Sequence, residues 1–271
     1  MESKAAVQLK SSGARWEVTL VPEPGKPFLL SESVLDQLES CFQKIGTGSR
    51  PGKNDSGGSG ERPSMVVVQS QTLRYFCVGA DIRILEGLNR DTIGRWVSRG
   101  HEVLNLIEDC PFPVVAKVRG YALGGGLELA MACDLIYADE TAVFGQTEAK
   151  IGMVPGWGGT LRLRERVGPS RANRLTMTGE MLDAESAKAM GLLDGLFPSD
   201  GLESAIQDFE NSVAESSPAA LSAYKRILSD ERAEARQRCL ESEIARSVEC
   251  IEDPDTKARI DAFVRPKPKS A

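Results

Sequence analysis

Histidine is almost missing. The 271-residue chain holds one, His101, which excludes a multi-histidine metal site, so no metal is expected; any Ser-His-Asp or Cys-His machinery would need this single residue. No G-x-S-x-G accompanies it. Its surroundings, Trp96-Val-Ser-Arg-Gly-His-Glu-Val-Leu-Asn-Leu-Ile, have helical spacing, so His101 reads as an ordinary helix residue. Paired C-x-x-C cysteines are also lacking. The 6 cysteines are scattered and read as reduced, mostly buried thiols. Positive charge is not in excess either: Lys plus Arg is 33 against 39 for Asp plus Glu, a net charge of −6. That balance argues against a broad basic face for nucleic acid or an anionic membrane, while leaving room for a local basic pocket. No apolar run approaches the roughly 20 residues of a membrane helix. The opening residues carry Glu2, Lys4 and Lys10 with no apolar segment behind them, and the last four are no peroxisomal address. The expected compartment is the cytoplasm.

What remains is a composition of 41% hydrophobic and 27% charged residues, enough to bury a core in one large domain or in a domain plus an appendage. Residues 7–9 and 16–21 alternate as strands, and 33–39 open a helix. Residues 46–64 are rich in Gly, Ser, Pro and Lys, a composition that offers no core face, so a flexible surface loop is expected there, with a substrate lid as the alternative. From 65 to about 197, strand, loop and helix recur, with strands at 65–68, 114–118 and 135–138 and a helix at 126–133. This order predicts an α/β core with parallel pairing. Asp183 reads as the N-cap of a helix over 184–190 that stops at Gly191. Helices are then expected at 202–213, 218–228 and 230–250, with Asp253-Pro254 opening a last one to 264. The expected division is an α/β core over 1–200 and a helical region over 201–271. No internal repeat is visible.

The most informative segment is Arg119-Gly-Tyr-Ala-Leu-Gly-Gly-Gly-Leu-Glu-Leu-Ala-Met-Ala-Cys-Asp134. A strand ends, three glycines follow, and a helix begins at once. Glycines there let backbone approach a ligand, and the first N–H groups of a helix lack internal partners. It is neither a Walker loop nor G-x-G-x-x-G, because no Gly-Lys-Ser/Thr follows and Leu129 occupies the third glycine position. Glu128 is the only charge between Arg119 and Asp134, and a carboxylate in an apolar helix is either employed or reaches solvent. Glu148 follows in Phe144-Gly-Gln-Thr-Glu-Ala-Lys-Ile-Gly-Met-Val-Pro-Gly-Trp-Gly-Gly159. One strand and a turn are expected between the acids, so both can reach one cleft. Two carboxyls in different surroundings are a standard means of acid and base chemistry near neutral pH. A third element, Tyr75-Phe-Cys-Val-Gly-Ala-Asp-Ile82, breaks at 79–81. It is either an ordinary turn or the second half of an oxyanion hole.

These segments, with Pro155-Gly-x-Gly-Gly159-Thr-x-Arg162-Leu163, resemble the crotonase (enoyl-CoA hydratase/isomerase) superfamily, most closely between 65 and 197. The resemblance implies a crotonase-like ββα-repeat core with a helical C-terminal trimerisation region. It implies an acyl-coenzyme A thioester as substrate, with coenzyme A arriving as part of it and no permanently bound cofactor. The N–H groups of Ala80 and Gly125 would hold the thioester oxygen, Glu128 and Glu148 would act on the α and β carbons, and the N–H of Gly156 would help hold water. The nucleotide would lie along Ala80, Asp81 and Ile82, with Lys26, Phe263 and Lys267 as further contacts, the last two often reaching over from a neighbouring subunit. Pro24-Gly-Lys-Pro-Phe-Leu-Leu30 replaces the family's usual amino-terminal signature, Pro266 displaces the lysine to 267, and Trp157 stands where small residues are common, which narrows the acyl pocket. Hydration of a 2-enoyl-CoA is the expected reaction. Isomerase, hydrolase, lyase or decarboxylase chemistry is the alternative, and a non-catalytic binder on the same scaffold the remote one. A homotrimer or hexamer is expected, with neither nucleic acid nor membrane as partner.

Overall fold

The computed structural model describes residues 5–47 and 62–265. Among them the strands are β1 (Ala6–Ser12), β2 (Arg15–Val21), β3 (Met65–Ser70), β4 (Tyr75–Cys77), β5 (Val114–Val118), β6 (Tyr121–Leu123), β7 (Leu135–Asp139), β8 (Val143–Gly145), β9 (Met181–Asp183) and β10 (Gly195–Phe197). The helices are α1 (Glu32–Thr47), α2 (Ile82–Leu85), α3 (Arg90–Glu108), α4 (Gly125–Met131), α5 (Gly159–Val167), α6 (Pro169–Thr178), α7 (Ala184–Met190), α8 (Leu202–Ala214), α9 (Pro218–Glu252) and α10 (Pro254–Val264).

Two sheets share the strands in turn. The larger runs β1-β2-β3-β5-β7-β10 and the smaller β4-β6-β8-β9. Each pair β3/β4, β5/β6 and β7/β8 therefore places its first strand in the large sheet and its second in the small one, with helix following. This is the expected ββα repeat in three dimensions. Pairing is parallel except at the ends, where β1 with β2 and β8 with β9 run antiparallel. The unbroken apolar run at the start of β3 follows from burial on both faces. Val66 and Val68 point into the main core, while Met65 and Val67 pack with Val115 against Leu202 and Ile206 of α8.

Four details depart from the sequence reading. Two strands, β7 and β8, separate the two acids rather than one. The short strands of the small sheet hold three residues each, too few for alternation to announce them. The segments 218–228 and 230–250 form one helix of 35 residues, because Ser229, between them, stays helical and bonds Asp109 through its hydroxyl at 2.7 Å. Gly46 and Thr47 finish α1, and Pro63 and Ser64 lead directly into β3, where the Ser64 N–H donates to the Ala14 carbonyl at 2.7 Å. The rest of the expected 46–64 loop lies outside the described residues. The caps at Asp183 and at Asp253 before Pro254 form as read. None of the described helices is long and apolar enough to cross a membrane.

Candidate active site

The triple glycine brings two backbone N–H groups side by side. Gly124 takes a positive φ of 52° that ordinary side chains avoid, and its N–H donates to the Gly145 carbonyl at 2.8 Å, tying the start of α4 to β8. Gly126 permits the closest packing: a Cβ there would lie 2.0 Å from the Cys77 carbonyl oxygen. With α4 pressed on β4, a Cβ on Gly125 would lie 3.5 Å from the Ala80 nitrogen, and one on Gly79 would lie 3.1 Å from the Gly125 nitrogen. The Gly125 N–H begins a helix and has no partner within it. A bridge to Leu30 uses the Gly79 carbonyl and the Asp81 N–H, so the N–H of Ala80 points the other way. Among the described residues neither N–H has a backbone partner, and both residues line one cavity.

Glu128, 2% exposed, sits one turn further along α4. Its Oε1 accepts from the N–H groups of Trp157 at 2.9 Å and Gly159 at 2.8 Å. The alternate N–H groups point oppositely: Gly158 donates at 2.9 Å and Thr160 at 3.2 Å to Glu243 of α9. Arg162 fixes the same segment from behind. It donates to the Trp157 carbonyl at 2.7 Å while paired with Glu108 at 2.8 Å. The Trp157 indole wedges between α3 and α4, since a Cβ on Gly100 would lie 2.0 Å from it and one on Gly125 2.7 Å.

Glu148 opens a single 3₁₀ turn, Glu148–Ile151, and both its oxygens accept from the Gln146 amide, at 3.0 and 3.1 Å. Gln146 is fully buried, its own carbonyl oxygen lacks a partner among the described residues, and a Cβ on Gly159 would meet both its amide nitrogen and Glu128. Gln146 therefore lies between the two acids. Sequence reading passed over its role, although it stands two places before Glu148 in the quoted motif.

The electrostatics of the acids follow from burial. Burial pushes Glu148 up to about 7, against the pull of its own backbone N–H and of Gln146. Glu128 is held well above the usual carboxylate range by burial, then by the charges of Glu148 and Glu243, with the Trp157 and Gly159 N–H groups pulling back. Glu243 goes the other way. Burial opposes it, but the bond and attraction to His101, the Thr160 hydroxyl and the Gly158 N–H more than offset that, and its carboxyl is lowered. Carboxyls whose environments separate their affinities for protons are equipped for acid and base roles near neutral pH. One group of metal-ligating types occurs among the described residues, His101, Cys239 and Glu243, with atoms within 4.8 Å of one another. Glu243 already accepts from the surrounding donors, and the Cys239 thiol is pushed up to about 12 by burial and then by Glu243, so the cluster is satisfied as a hydrogen-bond network.

The profile of the enoyl-CoA hydratase/isomerase family matches residues 61–269. The chain belongs to that family. It is 32% identical over 235 residues to the enoyl-CoA isomerase/hydratase fer4 of Mycosarcoma maydis, covering 86% of this chain and 84% of that one. It is 38% identical over 135 residues to the mitochondrial methylglutaconyl-CoA hydratase of Mus musculus, a match spanning 50% of this chain and only 43% of that protein. The enoyl-CoA hydratase structure from Bacillus halodurans superposes with a TM-score of 0.83 at 22% identity, over 94% of this chain and 99% of that one, which establishes the crotonase fold.

The residues carried over from the family resemblance fall into three groups. Ala80, Gly125, Glu128, Glu148 and Gly156 line one cavity of about 630 Å³. Asp81 and Ile82 line it too, but the Asp81 carboxylate caps α2 and is bound by Arg83 at 2.7 Å. Phe263, 61% exposed, reaches the cavity of its own chain, because α10 is fastened there by Thr256 to Gly152 at 2.9 Å and by Arg265 to Glu86 at 2.9 Å. Lys26 does not line the cavity and pairs with Glu23 at 2.5 Å, although its neighbour Pro27 is at the rim. Lys267 lies outside the described residues. Two cations at the rim, Arg83 and Lys150, escaped the sequence reading. Both lie two places from quoted residues, Asp81 and Glu148.

Proposed function

We propose that this protein is an enzyme that adds water to a 2-enoyl-CoA thioester, giving the 3-hydroxyacyl-CoA. The observation that carries the reading is the convergence of Glu128, Glu148 and the Ala80 and Gly125 N–H groups on one cavity. The thioester oxygen accepts from the two N–H groups, which stabilise negative charge as it develops there. Glu128, whose Oε1 is occupied by two N–H donors, turns Oε2 to the water and takes its proton as oxygen attacks Cβ. Glu148, pushed up to about 7, is the proton donor to Cα. The C=C bond is consumed, a C–O and a C–H bond form, and a proton passing between the acids restores both. Arg83 and Lys150 at the rim suit the phosphates of coenzyme A, which arrives with the substrate, so no resident cofactor is needed. The exposed Tyr224 and Ile227 of α9 and Met177 of α6 suit subunit packing in a trimer or hexamer, and we place the protein in the cytoplasm.

A second reading has its own observation. The two N–H bonds to Glu128 also suit a purely structural acid, which would leave Glu148 alone to shuttle a proton in double-bond isomerisation. Glu128→Gln and Glu148→Gln separate the two, because the amide keeps size but deletes base function. General acid–base groups contribute about 10²–10⁴-fold. Hydration, followed by loss of enoyl absorbance over acyl groups of varied length, should fall by that order in each variant. A folded Glu128→Gln that retains most of its rate on every enoyl thioester would replace hydration with the single-acid reading.

A further inference from the structure

The segment 157–160 is a partition between two carboxylates, and only one of them faces the acyl cavity. Its N–H groups alternate, Trp157 and Gly159 to Glu128, Gly158 and Thr160 to Glu243. Glu243 is 3% exposed, and neither it nor His101 lines the acyl cavity. Glu243 borders instead a separate cavity of about 650 Å³, together with Thr160 and Cys239. The His101 ring, 142 residues away in sequence, meets Glu243 Oε2 through Nε2 at 2.8 Å, and the Thr160 hydroxyl meets Oε1 at 2.5 Å. Both carboxylate oxygens are thereby committed.

We propose that His101 and Glu243 are positioning residues for Glu128. With its even N–H groups anchored to Glu243, the segment cannot rotate, and its odd N–H groups stay aimed at Glu128 Oε1. That leaves Oε2 directed at the water. His101 holds Glu243 at the height where Gly158 and Thr160 are both reached. A hydrogen-bonded frame of this kind acts on the rate rather than on substrate affinity, because misplacing a reacting group by about 1 Å can cost about 10²-fold in rate while ground-state contacts persist.

The inference rests on the two-glutamate reading, so its test carries Glu128→Gln as a reference. In Glu243→Gln the amide presents NH₂ to one of the two N–H donors and releases it. In His101→Ala the clamp on Glu243 is lost, whereas His101→Gln keeps an amide N–H that can donate to it. With a short 2-enoyl-CoA, kcat should fall about 10–100-fold in Glu243→Gln and His101→Ala, with KM changed less than about threefold. His101→Gln should recover most of that loss. Placed in the Glu128→Gln background, Glu243→Gln should cost less than about threefold more, because residues acting through one group are not additive. Unchanged kcat, a loss confined to KM, no rescue by His101→Gln, or a fully multiplicative double variant would each overturn the inference. If Glu243→Gln does not fold, the two His101 variants decide it. An inactive Glu128→Gln beside an active Glu243→Gln defeats this inference alone. A fully active Glu128→Gln defeats the hydration reading and this inference with it.

Discussion

Glu128 and Glu243 are nearly equally buried and each accepts two N–H groups from the same four residues, yet one is raised and the other lowered. The difference lies in the other neighbours. Glu243 has His101 and the Thr160 hydroxyl. Glu128 has two further carboxyls, Glu148 and Glu243, and no cation among the causes of its shift. Identical backbone donation therefore does not determine a buried acid's behaviour; the charges beyond it do. On the inner side the partners match the charge and the acid is structural. On the cavity side they do not, and the carboxyl is held well above the usual carboxylate range.

The largest expected effect breaks the comparison through stability. Glu243→Ala leaves His101 and the Gly158 and Thr160 N–H groups without their buried acceptor, a loss of about 3–5 kcal/mol by analogy with broken buried pairs. Glu128→Gln removes a carboxyl that burial disfavours and keeps an acceptor, so it should be neutral or stabilising. Urea unfolding at pH 7 checks both, and similar losses in the two variants would contradict the asymmetry.

A smaller effect comes from pH, with opposite signs on the two sides. A carboxyl raised on folding binds its proton more tightly in the native state, so its stability contribution is lost as pH rises from the unfolded to the folded value. For Glu148 that window runs from 4.5 to about 7 and amounts to roughly 3 kcal/mol. Glu148→Gln should flatten the decline, and a wild type equally stable at pH 5 and pH 8 would contradict it. Glu243, lowered on folding, contributes above its unfolded value and loses that contribution as pH falls through its folded value.

The cavity side of this comparison was legible in the sequence, and the inner side was not. Glu128 stands alone in an apolar stretch behind three glycines, and Glu148 lies 20 positions later with its own glycine-rich tail; both signals are local. Caps such as Asp183 are local too. Glu243 sits in a helix crowded with charge, and its burial comes only from tertiary packing of α9 against α3 and α5. The trace it leaves is a buried row at Glu243, Ser247 and Ile251, spaced by four, which many exposed acids on α9 obscure. His101 was read correctly as a helix residue, but no spacing rule connects it with a partner 142 residues away. The two-sheet core was hidden for a different reason: strands of three residues are too short to show a period.

The smallest effect sharpens the comparison with a probe already in place. Cys239 lies on the Glu243 side, its thiol 3.4 Å from Oε1 and 3.3 Å from the Thr160 hydroxyl. Burial and then the Glu243 charge push it up to about 12 from 9.0. At pH 8 that cuts the thiolate fraction about 10³-fold, while the higher intrinsic reactivity of a more basic thiolate returns about 20-fold. Iodoacetamide should therefore modify Cys239 about 50-fold more slowly in the native protein than in the denatured chain, as followed by mass spectrometry of the peptide that contains it. Glu243→Gln removes the neighbouring charge and should speed this labelling several-fold. Glu128→Gln, across the partition, should leave it unchanged. Equal acceleration by both variants would mean that the Cys239 thiol senses Glu128 across the segment 157–160 as strongly as it senses Glu243, and its assignment to the Glu243 side would then fail.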